Sequence, residues 1–225
     1  MKLYIGNKNY SSWSLRAWLL MRHCGIEFEE VKLRLSFADG SAFKETLLRL
    51  APTGKVPLLV DDGLAVWDTL AIAEYLAEQH PQLRLWPADR GNRARARSLC
   101  AEMHSGFSEL RNSFPMNIEA HLPAVGHRLL RESAPTALDL DRIDSMWSHQ
   151  LETSGGPFLF GAFSIADAFF APVCSRIRTY ALPVGSAPTE YVDRIFALPA
   201  MQAWVRAALA ENDFLGFDEP YRQDH

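Results

Sequence analysis

The chain has 225 residues, of which 48% are hydrophobic and 22% charged, and its formal net charge is −4 at neutral pH. This length allows one large domain or two small domains, each with its own hydrophobic core. The slight acidic excess offers no general attraction to nucleic acid or anionic lipid, so neither is an expected partner. No apolar run approaches the roughly 20 residues of a membrane-spanning helix, and no secretory leader is expected.

The cysteines are few and widely spaced. Cys24, Cys100 and Cys174 form no C-x-x-C pair, and their number is odd. This pattern argues against a disulfide scaffold, a zinc site or a dithiol redox centre. We therefore expect buried, unpaired thiols, no metal site and a cytoplasmic location.

Residues 1–80 alternate between strand and helix periodicity. Asp61-Asp62-Gly63 predicts a hairpin turn, because Asp-Gly readily adopts positive backbone angles. The resulting order is βαβαββα, which predicts an α/β domain over residues 1–80 with a mixed four-stranded sheet. In chain order the predicted elements are a strand at 3–5, a helix at 14–22, a strand at 28–33, a helix at 41–50, strands at 57–60 and 64–67, and a helix at 69–79.

Helical spacing dominates the remainder of the chain, which predicts an all-helical domain over residues 90–225. The linker at 81–89 is short and contains two prolines, so the two domains are expected to pack tightly. Within the second domain, Ser164 and Asp167 have the spacing of a capping box ahead of an apolar helix.

The run Ser11-Ser12-Trp13-Ser14-Leu15-Arg16 follows the first predicted strand and opens the first predicted helix. A helix begins with unpaired backbone N–H groups and a partial positive charge. A serine there can therefore cap the helix or donate a hydrogen bond to a bound anion such as a thiolate. The run alone leaves both roles open.

Two further segments have a structural and a functional interpretation. Lys55-Val56-Pro57 places a proline at the start of a strand, where a cis bond would turn the Val56 backbone outward to pair with an extended peptide. Asp68-Thr69 opens a helix; it is either a simple cap or a site for a free amino-acid end, with Asp68 attracting the ammonium and Thr69 the carboxylate.

Taken together, these segments resemble the glutathione transferase superfamily over nearly the whole chain. The serine run is similar to the S-S-C-x-x-R run of the zeta class, Lys55-Val56-Pro57 to the cis-proline segment, and Asp68-Thr69 to the pair that holds the γ-glutamyl end. The resemblance implies a thioredoxin-like N-terminal domain that binds glutathione and a helical domain that binds the second substrate. It also implies a homodimer.

The implied reaction is attack by the glutathione thiolate on a small hydrophobic or electrophilic substrate. Ser11 is the first choice as hydrogen-bond donor to the sulfur, with Ser12 close behind, and glutathione is a co-substrate that requires no metal. The remaining expected glutathione contacts are Trp13, Lys55, Val56, Pro57, Asp68 and Thr69. The expected electrophile pocket consists of Phe107, Arg111, Phe114 and Arg178, which are otherwise explained as packing or surface residues.

Two departures from the zeta pattern limit what the resemblance implies. Trp13 occupies the position of the zeta-class cysteine, which weakens the case for glutathione-dependent isomerisation of a maleyl diketo acid. The zeta-class arginine after Asp167 is also missing, because Thr179 stands in its place; the nearby Arg176 and Arg178 keep an acidic substrate possible. The alternatives are therefore a zeta-like isomerase or glutathione peroxidase, and a non-catalytic binding protein with the same fold.

Overall fold

A four-stranded mixed sheet forms the centre of the N-terminal domain in the computed structural model, which describes residues 1–222. The strands are β1 (Lys2–Ile5), β2 (Glu29–Lys32), β3 (Leu58–Asp61) and β4 (Leu64–Trp67), in the order β2-β1-β3-β4. β1 is parallel to β2 and antiparallel to β3, and β3 and β4 form the predicted hairpin.

Three helices complete this domain in the predicted order: α1 (Ser12–His23), α2 (Ala42–Leu48) and α3 (Thr69–Gln79). The parallel β1–β2 pair requires a crossover connection, and α1 supplies it. The expected thioredoxin-like arrangement is confirmed. The main difference is at the start of α1, which begins at Ser12 rather than Ser14, because Ser11 caps the helix.

Helices make up most of the remaining described chain, as predicted. After a short 3-10 turn (Pro81–Leu83), the helices are α4 (Arg90–Ser105), α5 (Ser108–Ser113), α6 (Pro123–Glu132), α7 (Ala134–Ser154), α8 (Ile165–Tyr180), α9 (Ser186–Ala197) and α10 (Pro199–Leu209), followed by a second 3-10 turn (Gly216–Asp218). The residue limits 1–80, 81–89 and 90–225 of the domains stay a prediction. No helix within residues 1–222 is both long and apolar enough to cross a membrane.

A single large hydrophobic cluster joins the two domains. It contains Leu15 and Leu19 of α1 together with Phe169 of α8, all of which are buried. Trp18 of α1 also lies edge-on to Trp204 of α10, with ring centroids 5.2 Å apart. Burial of this shared apolar surface stabilises the docked arrangement and fixes α1 between the sheet and the helical domain.

The predicted capping box begins α8. The Asp167 carboxylate accepts hydrogen bonds from the Ser164 backbone N–H (2.8 Å) and the Ser164 hydroxyl (3.1 Å). The Leu159 N–H and the Tyr191 hydroxyl donate to its other oxygen at 3.1 and 3.0 Å. Complete burial raises the pKa of Asp167 to about 6, while these four hydrogen bonds favour its charged form.

Candidate functional site

Ser11 is the N-cap of α1, and its hydroxyl is already hydrogen-bonded. Its oxygen accepts from the Ser14 backbone N–H at 3.4 Å, and the hydroxyl donates to the Ser14 oxygen at 2.7 Å. Ser14 in turn accepts from the Gly6 N–H at 3.0 Å. The Ser11 side chain is only 7% exposed. The cap role is therefore visible directly, and the hydroxyl hydrogen of Ser11 has a partner within the protein.

Ser12 is the first residue of α1 and is half-buried. Within residues 1–222, no hydrogen bond involves its hydroxyl. Because the hydroxyl lies in the first turn, it is close to the partial positive charge of the helix N-terminus. Of the two adjacent serines, Ser12 has the hydroxyl that is free to donate to a ligand.

Trp13 is surrounded by cationic and aromatic groups. The Arg16 guanidinium lies 4.3 Å from the centroid of the Trp13 ring and that of Arg111 lies 5.5 Å away. His104 of α4 contacts the same ring edge-on, with centroids 5.2 Å apart. Trp13 therefore joins the start of α1 to α4 and α5 of the helical domain.

Arg16 is buried beneath this cluster and is 2% exposed. Its Nε and Nη1 atoms make no hydrogen bond to any described residue. Burial, and secondarily the nearby charges of Arg176 and Arg111, lower the pKa of Arg16 to about 9. The guanidinium makes cation–π contacts with Trp13 and Phe169, whose ring centroids lie 4.3 and 5.0 Å away.

Asp68 and Thr69 open α3, as predicted. Asp68 has a positive φ of 76°, and its Oδ1 accepts from the Leu70 N–H at 2.8 Å. Its Oδ2 lies 3.1 Å from Nε2 of His104. Thr69 is 2% exposed, and its hydroxyl has no partner in the described part of the chain. His104 thus reaches the Asp68 carboxylate from the other domain.

The segment Lys55-Val56-Pro57 precedes β3, and the Val56–Pro57 peptide bond is cis. No backbone hydrogen bond to Val56 occurs within residues 1–222. Lys55 is exposed and Val56 is half-buried. The backbone groups of Val56 therefore remain free to pair with a ligand.

The four expected pocket residues separate into different environments. Phe107 is 6% exposed and Phe114 is fully buried, with its ring 4.8 Å from that of Tyr180. Arg111 is half-buried beside Trp13, and its Nη1 donates to the His104 carbonyl at 3.2 Å. Of these residues, Arg111 contacts Trp13 at the start of α1, whereas Phe107 and Phe114 are buried in the hydrophobic core.

Arg178 does not lie in this cluster. Its guanidinium is 4.1 Å from the centroid of Phe196 and 3.5 Å from Asp193, on α9. Two residues along an α-helix rotate a side chain by about 200°, so Arg176 and Arg178 leave α8 on opposite faces. Arg176 points inward and donates to the Phe114 carbonyl at 2.7 Å. The expectation that Arg178 lines the pocket is not supported by this geometry.

Several site residues carried no signal in the sequence. His104 has no partner in sequence that would mark it, and its contact with Asp68 arises only from domain docking. The polar run Asn7-Lys8-Asn9 has the composition of an ordinary surface loop, yet all three residues, which precede Ser11 in the chain, are buried. Within residues 1–222, no three histidine, cysteine or acidic side chains cluster in a way that would hold a metal ion.

Comparison with known proteins identifies the same family in both domains. Residues 10–79 match the glutathione S-transferase N-terminal domain family, and residues 118–207 match the corresponding C-terminal domain family. The maleylacetoacetate isomerase of Mus musculus is 36% identical over 83% of this chain and 82% of its own length. That of Rattus norvegicus is 29% identical, with 89% of each chain covered.

Solved structures agree with these sequence relatives. A glutathione transferase homologue from Burkholderia, solved with bound glutathione, superposes with a TM-score of 0.70 and 26% identity. The match covers 93% of this chain and 98% of that one. The sheet order, the helical domain and both family matches lead to one conclusion: this protein belongs to the glutathione S-transferase family and is a glutathione-dependent enzyme.

Proposed function

We propose that the enzyme activates the glutathione thiol at the start of α1 and directs the thiolate to the electrophilic carbon of a small substrate. The observation that carries this proposal is the half-buried Ser12 hydroxyl, which has no partner in the described chain and lies in the first turn of α1. Ser11 caps the helix and holds this turn in place.

Thiol activation follows from the electrostatics of the helix start. A free thiol has a pKa of about 8.5, so only a few per cent is ionised at neutral pH. A hydrogen bond from Ser12 and the positive end of α1 both favour the charged form. Since one pKa unit corresponds to about 1.4 kcal/mol, these two effects together suffice to lower the thiol pKa by about one to two units.

The remainder of glutathione fits the other free groups at the sheet edge. The backbone N–H and C=O of Val56, between Lys55 and Pro57, pair with the cysteinyl backbone as an added strand. The γ-glutamyl ammonium approaches the Asp68 carboxylate, and its carboxylate approaches Thr69 at the N-terminus of α3. The buried hydroxyl of Thr69, which has no partner within residues 1–222, supports this placement.

The reaction proceeds in two steps. The thiol proton leaves to solvent, and the sulfur lone pair then forms a bond to the electrophilic carbon. In a substitution, the electrons of the broken bond depart with the leaving group. When the thiolate instead adds to an activated double bond, the electrons of that bond pass to the neighbouring carbon, which takes a proton from water. Trp13, Phe107 and Arg111 form the wall against which the electrophile is held.

A second candidate is cis–trans isomerisation, in which the thiolate adds to a double bond and departs after rotation, so glutathione is regenerated. The mouse and rat relatives, which bear the name maleylacetoacetate isomerase, favour this reaction. Trp13, in the place of the zeta-class cysteine, favours conjugation. Peroxidase activity is the remaining alternative, and a panel of substrates separates all three.

We also propose a homodimer that uses the free edge of the sheet. β4 is an edge strand on which Leu64 is 53% and Trp67 41% exposed. An apolar groove of about 620 Å³ runs along it between Val66 and Glu74. Exposed apolar edge strands pair with another chain unless they are covered, and a second copy covers this one.

The unpaired cysteines are compatible with the reducing cytoplasm, which we propose as the location of the enzyme.

The test is an ultraviolet titration of the bound thiolate in the wild type and in Ser11→Ala and Ser12→Ala. We expect Ser12→Ala to raise the apparent pKa of the bound thiol by about one unit, with kcat reduced about tenfold at neutral pH. Ser11→Ala is expected mainly to lower the melting temperature. A large pKa change in Ser11→Ala alone would reassign the donor to Ser11, and no change in either variant would refute the mechanism.

A further inference from the structure

The loop between β1 and α1, residues 6–11, is polar but buried. Asn7, Lys8, Asn9 and Tyr10 are each between 0% and 6% exposed. Connecting loops usually run over the surface, because buried backbone N–H and C=O groups must find hydrogen-bond partners. The partners of this loop therefore indicate what holds the segment that leads into Ser11.

Three acidic residues among these partners, Glu211, Asp213 and Glu219, come from the C-terminal strap, which we define as residues 210–222. The other partners include Glu30, which pairs with Lys8, and the N–H groups of Ile118 and Glu119, which donate to Asn9. Glu211, at the start of the strap, accepts from the Lys8 N–H at 2.8 Å and from the Asn9 N–H at 3.4 Å. Its side chain is 3% exposed, and Lys32 lies 3.3 Å away. A buried carboxylate that accepts from backbone N–H groups forms strong, charge-assisted hydrogen bonds.

A second carboxylate of the strap acts through Asn7. Asp213 accepts from the Asn7 side-chain amide at 2.9 Å, and the Asn7 amide oxygen accepts from the Leu35 N–H at 2.8 Å. With its side chain fixed in this way, the Asn7 carbonyl accepts from the N–H groups of Tyr10 (3.2 Å) and Ser11 (2.8 Å). The chain of contacts thus runs from Asp213 to the backbone of the N-cap serine.

Two further contacts complete the attachment. The Tyr10 hydroxyl donates to Glu219 of the strap, and the Trp204 indole N–H of α10 donates to the Lys8 carbonyl at 3.0 Å. The loop is therefore bonded to the C-terminal end of the chain at Asn7, Lys8, Asn9 and Tyr10.

We propose that the C-terminal strap positions the thiol-activating end of α1, with Glu211 and Asp213 as positioning residues. The inference rests on the proposed function, because it concerns the geometry of the serine hydroxyl relative to the glutathione sulfur. Neither carboxylate is among the glutathione contacts that we propose. Their effect is transmitted through the loop backbone, and small displacements of a catalytic group have large effects on rate.

The test compares Glu211→Ala and Asp213→Ala with the wild type. We expect the apparent pKa of the bound glutathione thiol to rise by about half to one unit, and kcat below that pKa to fall about three- to tenfold. KM for glutathione should change less than about twofold, because the binding contacts remain. Glu211→Gln, which keeps one acceptor oxygen, should restore part of the loss.

Two controls separate positioning from stability and from charge. Ser164→Ala weakens the α8 capping box without touching the loop, so it should lower the melting temperature and leave the thiol pKa unchanged. Lys32→Gln removes the ion pair of Glu211 but keeps both N–H bonds, and it should also titrate like the wild type. Asp213, whose side chain is partly exposed, provides the informative variant if Glu211→Ala does not fold.

Amide hydrogen exchange at Ser11 and Ser12, measured without glutathione, separates failure of the inference from failure of the proposed function. Faster exchange in Glu211→Ala and Asp213→Ala than in Ser164→Ala supports the strap as the element that holds the start of α1. If both variants show the same thiol pKa and the same amide exchange rates as the wild type, the inference is wrong. An absence of thiolate absorbance in wild-type protein with glutathione instead contradicts the proposed function.

Discussion

Asp68 caps α3 and is also the residue that we propose to bind the glutathione ammonium. Its Oδ1 caps α3 through the Leu70 N–H, and its Oδ2 faces His104. The cap requires only an acceptor oxygen, whereas attraction of an ammonium requires the negative charge. The two tasks can therefore be separated by a substitution that removes the charge and keeps the oxygen.

We predict that Asp68→Asn reduces glutathione affinity about tenfold, the equivalent of about 1.4 kcal/mol, with little change in melting temperature. Asp68→Ala should lose a similar amount of affinity and also destabilise the protein by about 1 kcal/mol through loss of the cap. Calorimetric titration and thermal unfolding measure the two effects. Full affinity in Asp68→Asn would exclude Asp68 as the ammonium partner.

The cysteines provide a second prediction at the residue scale. Burial raises the pKa of Cys24 to about 11 and raises those of Cys100 and Cys174 well above the ordinary value. A thiol with a pKa of about 11 is only about 0.1% ionised at pH 8, and the thiolate is the reactive form. We expect slow alkylation of all three in native protein and rapid alkylation in guanidinium. Fast labelling of native Cys24 would contradict this assignment.

At the scale of elements, α8 depends on its buried cap. Asp167 satisfies four donors at once, including the Tyr191 hydroxyl from α9 and the Leu159 N–H from the preceding loop. The carboxylate thus fixes three segments relative to one another. Removing it leaves several buried donors without acceptors, and each has a desolvation cost.

We predict that Asp167→Ala lowers the free energy of unfolding by about 3 kcal/mol or more. Ser164→Ala removes only one of the donors to this carboxylate and should cost about 1 kcal/mol. Denaturant titration at equal protein concentration measures both values. A loss in Asp167→Ala no larger than that in Ser164→Ala would show that the other donors find new partners.

At the scale of the whole molecule, the two domains share one core, and the free edge of β4 remains the exposed apolar border of the sheet. Trp67 lies on this edge immediately before Asp68. Association of two copies along β4 would therefore cover the apolar surface next to the proposed γ-glutamyl site.

We predict that Leu64→Glu with Trp67→Glu converts a dimer to a monomer in sedimentation velocity at micromolar concentration. Leu138→Glu is the matched control, because Leu138 is 66% exposed on α7, away from the sheet. Buried charge at an interface is costly, whereas the same charge on a solvated face is not. Dimers that persist in the double variant would place the interface elsewhere.

The sequence by itself determined the features that depend on near neighbours. The order of strands and helices, the caps at Ser11 and Asp68, and the Ser164–Asp167 box all follow from residues within four positions of each other. Periodicity and cap chemistry are local, so they can be recognised without knowing what the element packs against. The first and last residues of the elements were harder to predict. In α1, for example, the N-cap Ser11 and the first helical residue Ser12 are both serine, so the sequence does not mark where the helix begins.

Only the tertiary structure decided how distant residues meet. Glu211 reaches the N–H of Lys8 across 203 positions, and His104 reaches Asp68 from another domain. Arg176 and Arg178 differ by two positions, yet one is buried and the other lies on the α9 side of α8. Such contacts depend on which helix face is buried when the shared core forms, and this is a property of the packed molecule rather than of any short segment.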